Sequence, residues 1–136
     1  METITMYHDI RVFYVKRNTS SMSLPEAYQE LIKNVPFAWD RMYYGILVRE
    51  NGCLCYRLAV EQLTRNENRD LNLDCHVIKR GVYLSCIVRN YLQDIMEIER
   101  VFQRLLLEPG LDNDENRVEW YFNETDVACM LRLEQD

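Results

Sequence analysis

The sequence predicts an α+β domain built from two tandem units, each ordered strand, helix, hairpin, related by a pseudo-two-fold axis. Three observations carry this. Apolar, β-branched runs recur at Ile10-Arg11-Val12-Phe13-Tyr14-Val15 and Leu84-Ser85-Cys86-Ile87-Val88. Each is followed by a segment with apolar residues at helical spacing. Each such segment is closed by a proline and followed by a paired-strand pattern.

The first unit, about residues 1–64, opens with a strand read from Thr5 to Lys16. Asn18 to Ser23 is polar and turn-like. Ser23-Leu24-Pro25-Glu26 sets a helix start: Ser23 accepts from the backbone three residues on, Glu26 reaches back, and Pro25 sits in the first turn. Ala27, Tyr28, Leu31, Ile32 and Val35 form the apolar face, and Pro36 stops the helix. Tyr43 to Val48 reads as a strand. Asn51-Gly52 is a strong hairpin-turn signal, and Cys53 to Gln62 is the returning strand.

The second unit, about residues 75–136, repeats that order. Val77 to Val88 reads as one strand with Gly81 as a bulge inside it. Asn90, with Gln93 three residues on, is the expected helix cap. Ile95, Ile98, Phe102, Leu105 and Leu106 make the apolar face, and Pro109-Gly110 ends the helix. Asp112 to Asn116 is a polar loop. Arg117 to Phe122 and Val127 to Leu133 are the closing strands, joined by a turn at Asn123 to Asp126. Thr64 to Asp74, charged and Asn-rich, is the joint. Neither unit can bury its helix face and its sheet face alone, so one domain over residues 1–136 is expected, with two main helices.

The chain has 136 residues, of which 48% are hydrophobic and 28% charged, a globular mix. Nine Tyr, four Phe and two Trp are too many for a disordered chain. No apolar run is long enough to span a membrane, and Met1 to Asp9 lacks the apolar region of a signal peptide. The expected location is cytoplasmic. A net charge of −6 disfavours direct binding to nucleic acid or to an anionic membrane. Five cysteines, an odd number, are read as free thiols.

The order of elements and several local motifs resemble the GyrI-like small-molecule-binding domain, which is also the effector-binding module of bacterial multidrug-sensing transcription activators. Arg80-Gly81-Val82-Tyr83 resembles the Gly-x-Tyr stretch that opens the family's second repeat. Glu119-Trp120-Tyr121 resembles its Glu-x-aromatic strand, and Tyr56-Arg57-Leu58-Ala59-Val60 its closing strand of the first repeat. The chain departs at Arg80 and Asn90, where the family carries Pro and Gly. The resemblance implies paired β-α-β-β units of the SHS2 type, a curved antiparallel sheet and a ligand cleft between the repeats. It implies hydrophobic and often cationic ligands; some members of similar fold hydrolyse small electrophiles with a Glu and a Tyr.

Glu119 is the leading site residue. Strand alternation puts it on one face with Tyr121, while Val118, Trp120 and Phe122 share the other. A carboxylate walled by aromatics must be neutralised or find a cation. A ligand cation is held there by charge and by ring faces, at about 0.5–2 kcal/mol per ring contact. The bland alternative is a solvated Glu on an edge strand. Tyr83, Tyr44, Tyr56 and Trp39 are further ligand-binding candidates, against the alternative of core packing. Cys53, Cys55, Cys75 and His76 lack the paired spacing of a zinc site, and Cys86 sits in an apolar strand that leaves a thiol inert. No phosphate loop, dinucleotide fingerprint or catalytic triad is present, so no cofactor and no metal are expected.

The expected function is a non-enzymatic, stand-alone binder of small hydrophobic, cationic molecules: a sensor, sequestering protein or regulator of a protein partner. With the two units filling the chain, no helix-turn-helix is expected. An alternative is a small-molecule hydrolase using Glu119 as base and Tyr83 as its partner. Another is an acidic inhibitor of DNA gyrase. The residue types are the same for counter-charge and base, so the sequence leaves these open.

Overall fold

The computed structural model describes residues 1–18, 41–70, 72–112 and 116–135. The expected helix from Ser23 to Val35 and the candidate Trp39 lie outside the described residues. The rest is a curled antiparallel sheet of eight strands, a half-barrel, with two helices, consistent with the α+β class. The strands are β1 (Glu2–Met6), β2 (Ile10–Asn18), β3 (Tyr43–Glu50), β4 (Cys53–Glu61), β5 (Asp74–Ile78), β6 (Gly81–Val88), β7 (Arg117–Tyr121) and β8 (Val127–Arg132). Their order across the sheet is β1-β6-β8-β7-β3-β4-β2-β5. Helix α1 (Glu67–Asp70) lies in the joint, and helix α2 (Met96–Leu105) follows a 3-10 turn at Tyr91–Gln93.

The curl follows from the connections. Strands β1 and β2 stand six places apart in the sheet, which in a flat sheet is about 29 Å. Only Tyr7, His8 and Asp9 join them, a span of at most about 15 Å. The same holds for β5 and β6, joined by Lys79 and Arg80. The sheet has to roll until its ends approach. The two connections are then tied together: Arg80 N–H donates to Asp9 Oδ1 at 2.8 Å, and Arg132 donates to the Arg80 carbonyl at 2.8 and 3.0 Å.

These connections correct two sequence readings. The single strand expected from Thr5 to Lys16 is two strands, and so is the one expected from Val77 to Val88. Each apolar run is broken where the chain leaves one end of the sheet and rejoins at the other. Gly81, at φ 139°, begins β6 rather than bulging within a strand. By contrast, Asn51 (φ 53°) and Gly52 (φ 80°) turn the β3–β4 hairpin as their sequence dictates.

The roll gives the sheet an inner and an outer face. Side chains from all eight strands meet inside, among them Met6, Val12, Ile46, Ala59, Ile78, Tyr83, Val118 and Met130. On the outer face α2 packs against β6 and β8 through Ile98, Val101, Phe102 and Leu105, over Val127, Cys129 and Leu131. The expected apolar stripe is therefore shifted: Val101 belongs to it, whereas Ile95 and Leu106, just beyond the helix ends, are exposed.

The expected Asn90 cap is not formed either. Asn90 is left-handed (φ 53°), its side chain makes no capping bond, and α2 starts only at Met96. The cause is Asp126 on the β7–β8 turn. Its carboxylate accepts from the Asn90 backbone at 3.1 Å, Arg89 at 2.9 Å, Asn123 at 3.1 Å and the Thr125 hydroxyl at 3.1 Å. These donors, the Asn123 side chain above all, hold the Asp126 carboxyl down at about 2, against 3.8 ordinarily. The unfolded chain therefore binds more protons than the folded one between those values. Stability contributed by Asp126 is complete above pH 3.8 and is lost as the pH falls through about 2. In acid titrations followed by circular dichroism, Asp126→Asn is expected to be less stable at neutral pH and to lose less of its stability between pH 4 and pH 2.

Candidate functional site

A single row of paired residues crosses the outer face of the sheet. It runs Cys86 on β6, Cys129 on β8, Glu119 on β7, Gly45 on β3 and Leu58 on β4. Glu119 stands in its middle. The strand alternation that put Glu119 and Tyr121 on one face holds, but both faces of β7 are covered. Val118, Trp120 and Phe122 point into the inner cluster, and Tyr121 joins the layer beneath α2.

Two tyrosines converge on the carboxylate. Tyr56 O–H donates to Glu119 Oε1 at 2.7 Å, and Tyr121 O–H donates to the same oxygen at 2.5 Å. Tyr121 lies two residues along β7, on the same side as Glu119. Tyr56 comes from β4, with all of β3 between, and reaches Glu119 because Gly45 occupies the intervening position. A Cβ at Gly45 would lie 1.9 Å from the Tyr56 hydroxyl oxygen and 2.6 Å from Glu119 Oε1. The glycine is the gap through which the hydrogen bond passes. Gly inside a strand is a sequence signal of such close approach, and it is the one available signal for this part of the site.

Glu119 is half-buried, with its carboxyl group set among protein atoms. Burial pushes its pKa above the ordinary 4.5, and this outweighs the two tyrosine hydrogen bonds and the charge of Arg117, which favour the carboxylate. Arg117 itself is engaged elsewhere. Its Nη1 pairs with Glu99 at 2.9 Å, and its guanidinium lies over the Phe102 ring at 5.6 Å. Among the described residues, no cationic side chain forms a salt bridge with Glu119. The arrangement is a partly desolvated carboxylate, oriented through one oxygen by two phenols, and among the described residues no cationic side chain is paired with it. It is able to take a cation or to accept a proton.

The neighbouring Cys129 thiol is fully buried. Burial first, and then the Glu119 charge, raise its pKa far above the usual range, so it is not a nucleophile. Tyr44 and Tyr83 stand on the inner face, away from Glu119. Burial raises the Tyr44 phenol, with Glu61 adding to the effect, and the Tyr83 hydroxyl donates to the Lys79 carbonyl at 2.5 Å. Of the sequence-derived candidates the structure thus brings together Glu119, Tyr56 and Tyr121. Cys75 donates to Gln62 Oε1 at 3.2 Å, and His76 Nδ1 lies 2.8 Å from Arg57 Nη1. Among the described residues no three His, Cys, Asp or Glu side chains are grouped to hold a metal ion. No helix among them is long and apolar enough to cross a membrane.

Compared with protein-family models and with curated protein sequences, the chain matches none. Solved structures resemble it over almost its whole length. An integron cassette protein from the mobile metagenome of Vibrio cholerae has a TM-score of 0.70 at 11% identity, covering 98% of this chain and 95% of that one. The protein SAV2435, solved bound to tetraphenylphosphonium, has a TM-score of 0.66 at 13% identity, with 98% and 94% covered. A hydrolase from Listeria innocua has a TM-score of 0.52 at 9% identity, with 98% and 91% covered. What the chain shares with them is its fold, a curled antiparallel sheet of the kind that the GyrI-like resemblance implies.

Proposed function

We propose that this chain binds small lipophilic cations, with Glu119 as the counter-charge and Tyr56 and Tyr121 as the groups that orient it. The observation that carries the reading is the half-buried Glu119 carboxylate, held by two phenols and by no cationic side chain among the described residues. A cation with diffuse charge loses little hydration on entering such a site, and ring faces add to its attraction. The fold neighbour SAV2435 bound to tetraphenylphosphonium supports this reading. So does the strand order. Read from its two ends, the sheet matches β1 with β5, β6 with β2, β8 with β4 and β7 with β3. That is the symmetry expected of two β-α-β-β repeats, 1–64 and 75–136, meeting at β7 and β3 beside Glu119. As a GyrI-like effector-binding protein the chain would act in the cytoplasm, alone or on a protein partner.

The test is a titration of the chain with tetraphenylphosphonium, followed by calorimetry and tryptophan fluorescence. Saturable one-to-one binding is expected, and absence of binding sinks the proposal. The hydrolase reading draws on the same carboxylate, because its raised pKa and its phenol partners also suit a general base, and on the hydrolase among the fold neighbours. Turnover of an electrophilic ester or epoxide, lost in Glu119→Gln, would favour it over simple binding.

A further inference from the structure

Cys86 on β6 stands directly opposite Cys129 on β8. Both side chains point to the outer face: Cys129 lies in the layer beneath α2, and Cys86 packs against that layer. Both are free thiols, Cys129 buried and Cys86 half-buried. No other cysteine has a cysteine opposite it among the described residues. Cys53 pairs with Glu50, Cys55 with Asn18 and Val48, and Cys75 with Phe13. Further along the same β6–β8 register, the Leu133 N–H donates to the Val82 carbonyl at 2.9 Å. Alternation along an antiparallel ladder then makes Cys86 and Cys129 a hydrogen-bonded pair, with Cα atoms about 5.5 Å apart. That spacing lies within the range found in disulfides, and both Cβ atoms are on one face, so no strand has to turn for the sulfurs to meet.

We propose that Cys86 and Cys129 are an oxidation site, closed by peroxide into a reversible cross-strand disulfide between β6 and β8. Peroxide is small enough to reach the half-buried Cys86. Its O–O bond breaks as an S–O bond forms, leaving Cys86 as a sulfenic acid and releasing one water. The Cys129 sulfur then attacks the Cys86 sulfur. The S–S bond forms, the S–O bond breaks, and the departing hydroxide takes the Cys129 proton as a second water. The two sulfurs together lose two electrons, and the peroxide gains them. Cys129 is sealed from molecules in solution, but toward a sulfur on the next strand it needs no access. Opposed Cβ atoms lie about 4.5–5.5 Å apart, and a disulfide holds them at about 3.5–4.5 Å. The strands must therefore draw together slightly, and a bond made under that strain is readily reduced. In a reducing compartment it lasts only while oxidant is present. The link closes a loop of about forty residues that contains α2 and β7. The pair works in the same way whether or not Glu119 takes a cation.

The experiment treats the full, folded chain with hydrogen peroxide, alkylates the remaining thiols, and maps the peptides by mass spectrometry. A peptide pair joining Cys86 to Cys129, lighter by two hydrogens, is expected, and dithiothreitol should separate it. Thermal unfolding of the oxidised chain should have a midpoint several degrees higher before dithiothreitol than after it. Comparing those two states leaves methionine oxidation, which dithiothreitol does not reverse, out of the difference. In Cys86→Ser the link and the shift in midpoint should both be absent. Should that variant fail to fold, the peptide map of the wild type still decides. The proposal is overturned if Cys86 and Cys129 are recovered as separate alkylated thiols while the exposed Cys53 and Cys75 are oxidised. It is equally overturned if Cys86 is recovered as a sulfinic acid with Cys129 unlinked, or if the two join only in urea.

Discussion

Glu119→Gln is expected to weaken tetraphenylphosphonium binding by about thirty- to a hundredfold while leaving the fold intact. The substitution keeps the shape and an oxygen that can accept from Tyr56 and Tyr121, so the two phenols remain engaged. It removes the charge. In a partly buried site an uncompensated ligand cation loses about 2–3 kcal/mol of attraction, which corresponds to that range of affinity. Unfolding free energy should change little, because the lost charge was itself destabilised by burial. Equal binding by wild type and Glu119→Gln would show that the carboxylate is not the counter-charge.

The same residue sets a pH dependence with two opposite signs. Only the ionised carboxyl attracts a cation, so affinity should fall about tenfold per pH unit below the raised Glu119 pKa and level off above it. Without ligand, the folded chain holds the Glu119 proton more tightly than the unfolded chain does. The Glu119 contribution to stability is therefore complete below pH 4.5 and is lost as the pH rises through the folded value. Asp126 behaves in the reverse sense and in a lower window. The two Glu119 dependences, of affinity and of stability, should disappear in Glu119→Gln, and that of Asp126 should remain.

Gly45→Ala is expected to be the most damaging single methyl in the sheet. The backbone accepts it, but the new Cβ would occupy the place of the Tyr56 hydroxyl and press on Glu119 Oε1. One of the two must leave. Displacing Tyr56 breaks its bond to Glu119 and disturbs the cluster of Phe13, Leu58 and Val60 on which it packs. Overpacking of this kind costs about 1–3 kcal/mol, and cation binding should fall with it. Tyr56→Leu in the same chain removes the clash, so the double variant should be more stable than the sum of the two single losses implies. Strict additivity in chemical denaturation would mean that the two residues do not meet.

Features fixed by local chemistry could be read from the sequence. Asn51-Gly52 carries the φ values of its hairpin in its own composition, and the alternation along Val118 to Phe122 is a property of any strand. What could not be read depends on distant partners. The breaks at Tyr7–Asp9 and Lys79–Arg80 interrupt runs that look continuous, because they answer to the roll of the whole sheet. The Asn90 cap is lost to Asp126, thirty-six residues further on. Tyr56 reads as an aromatic that a cleft could use, but its bond to Glu119 needs an empty position on a strand that neither residue belongs to.

The crossing of the sheet's outer strands also bears on how the molecule comes into being. Residues Glu2 to Met6 pair with Gly81 to Ser85, and Ile10 to Tyr14 pair with Asp74 to Ile78. During synthesis the strand Glu2 to Met6 has no neighbour until Gly81 to Ser85 have left the ribosome. Closing so large a loop is slow, and in that interval a sticky, unpaired edge is open to association with other nascent chains.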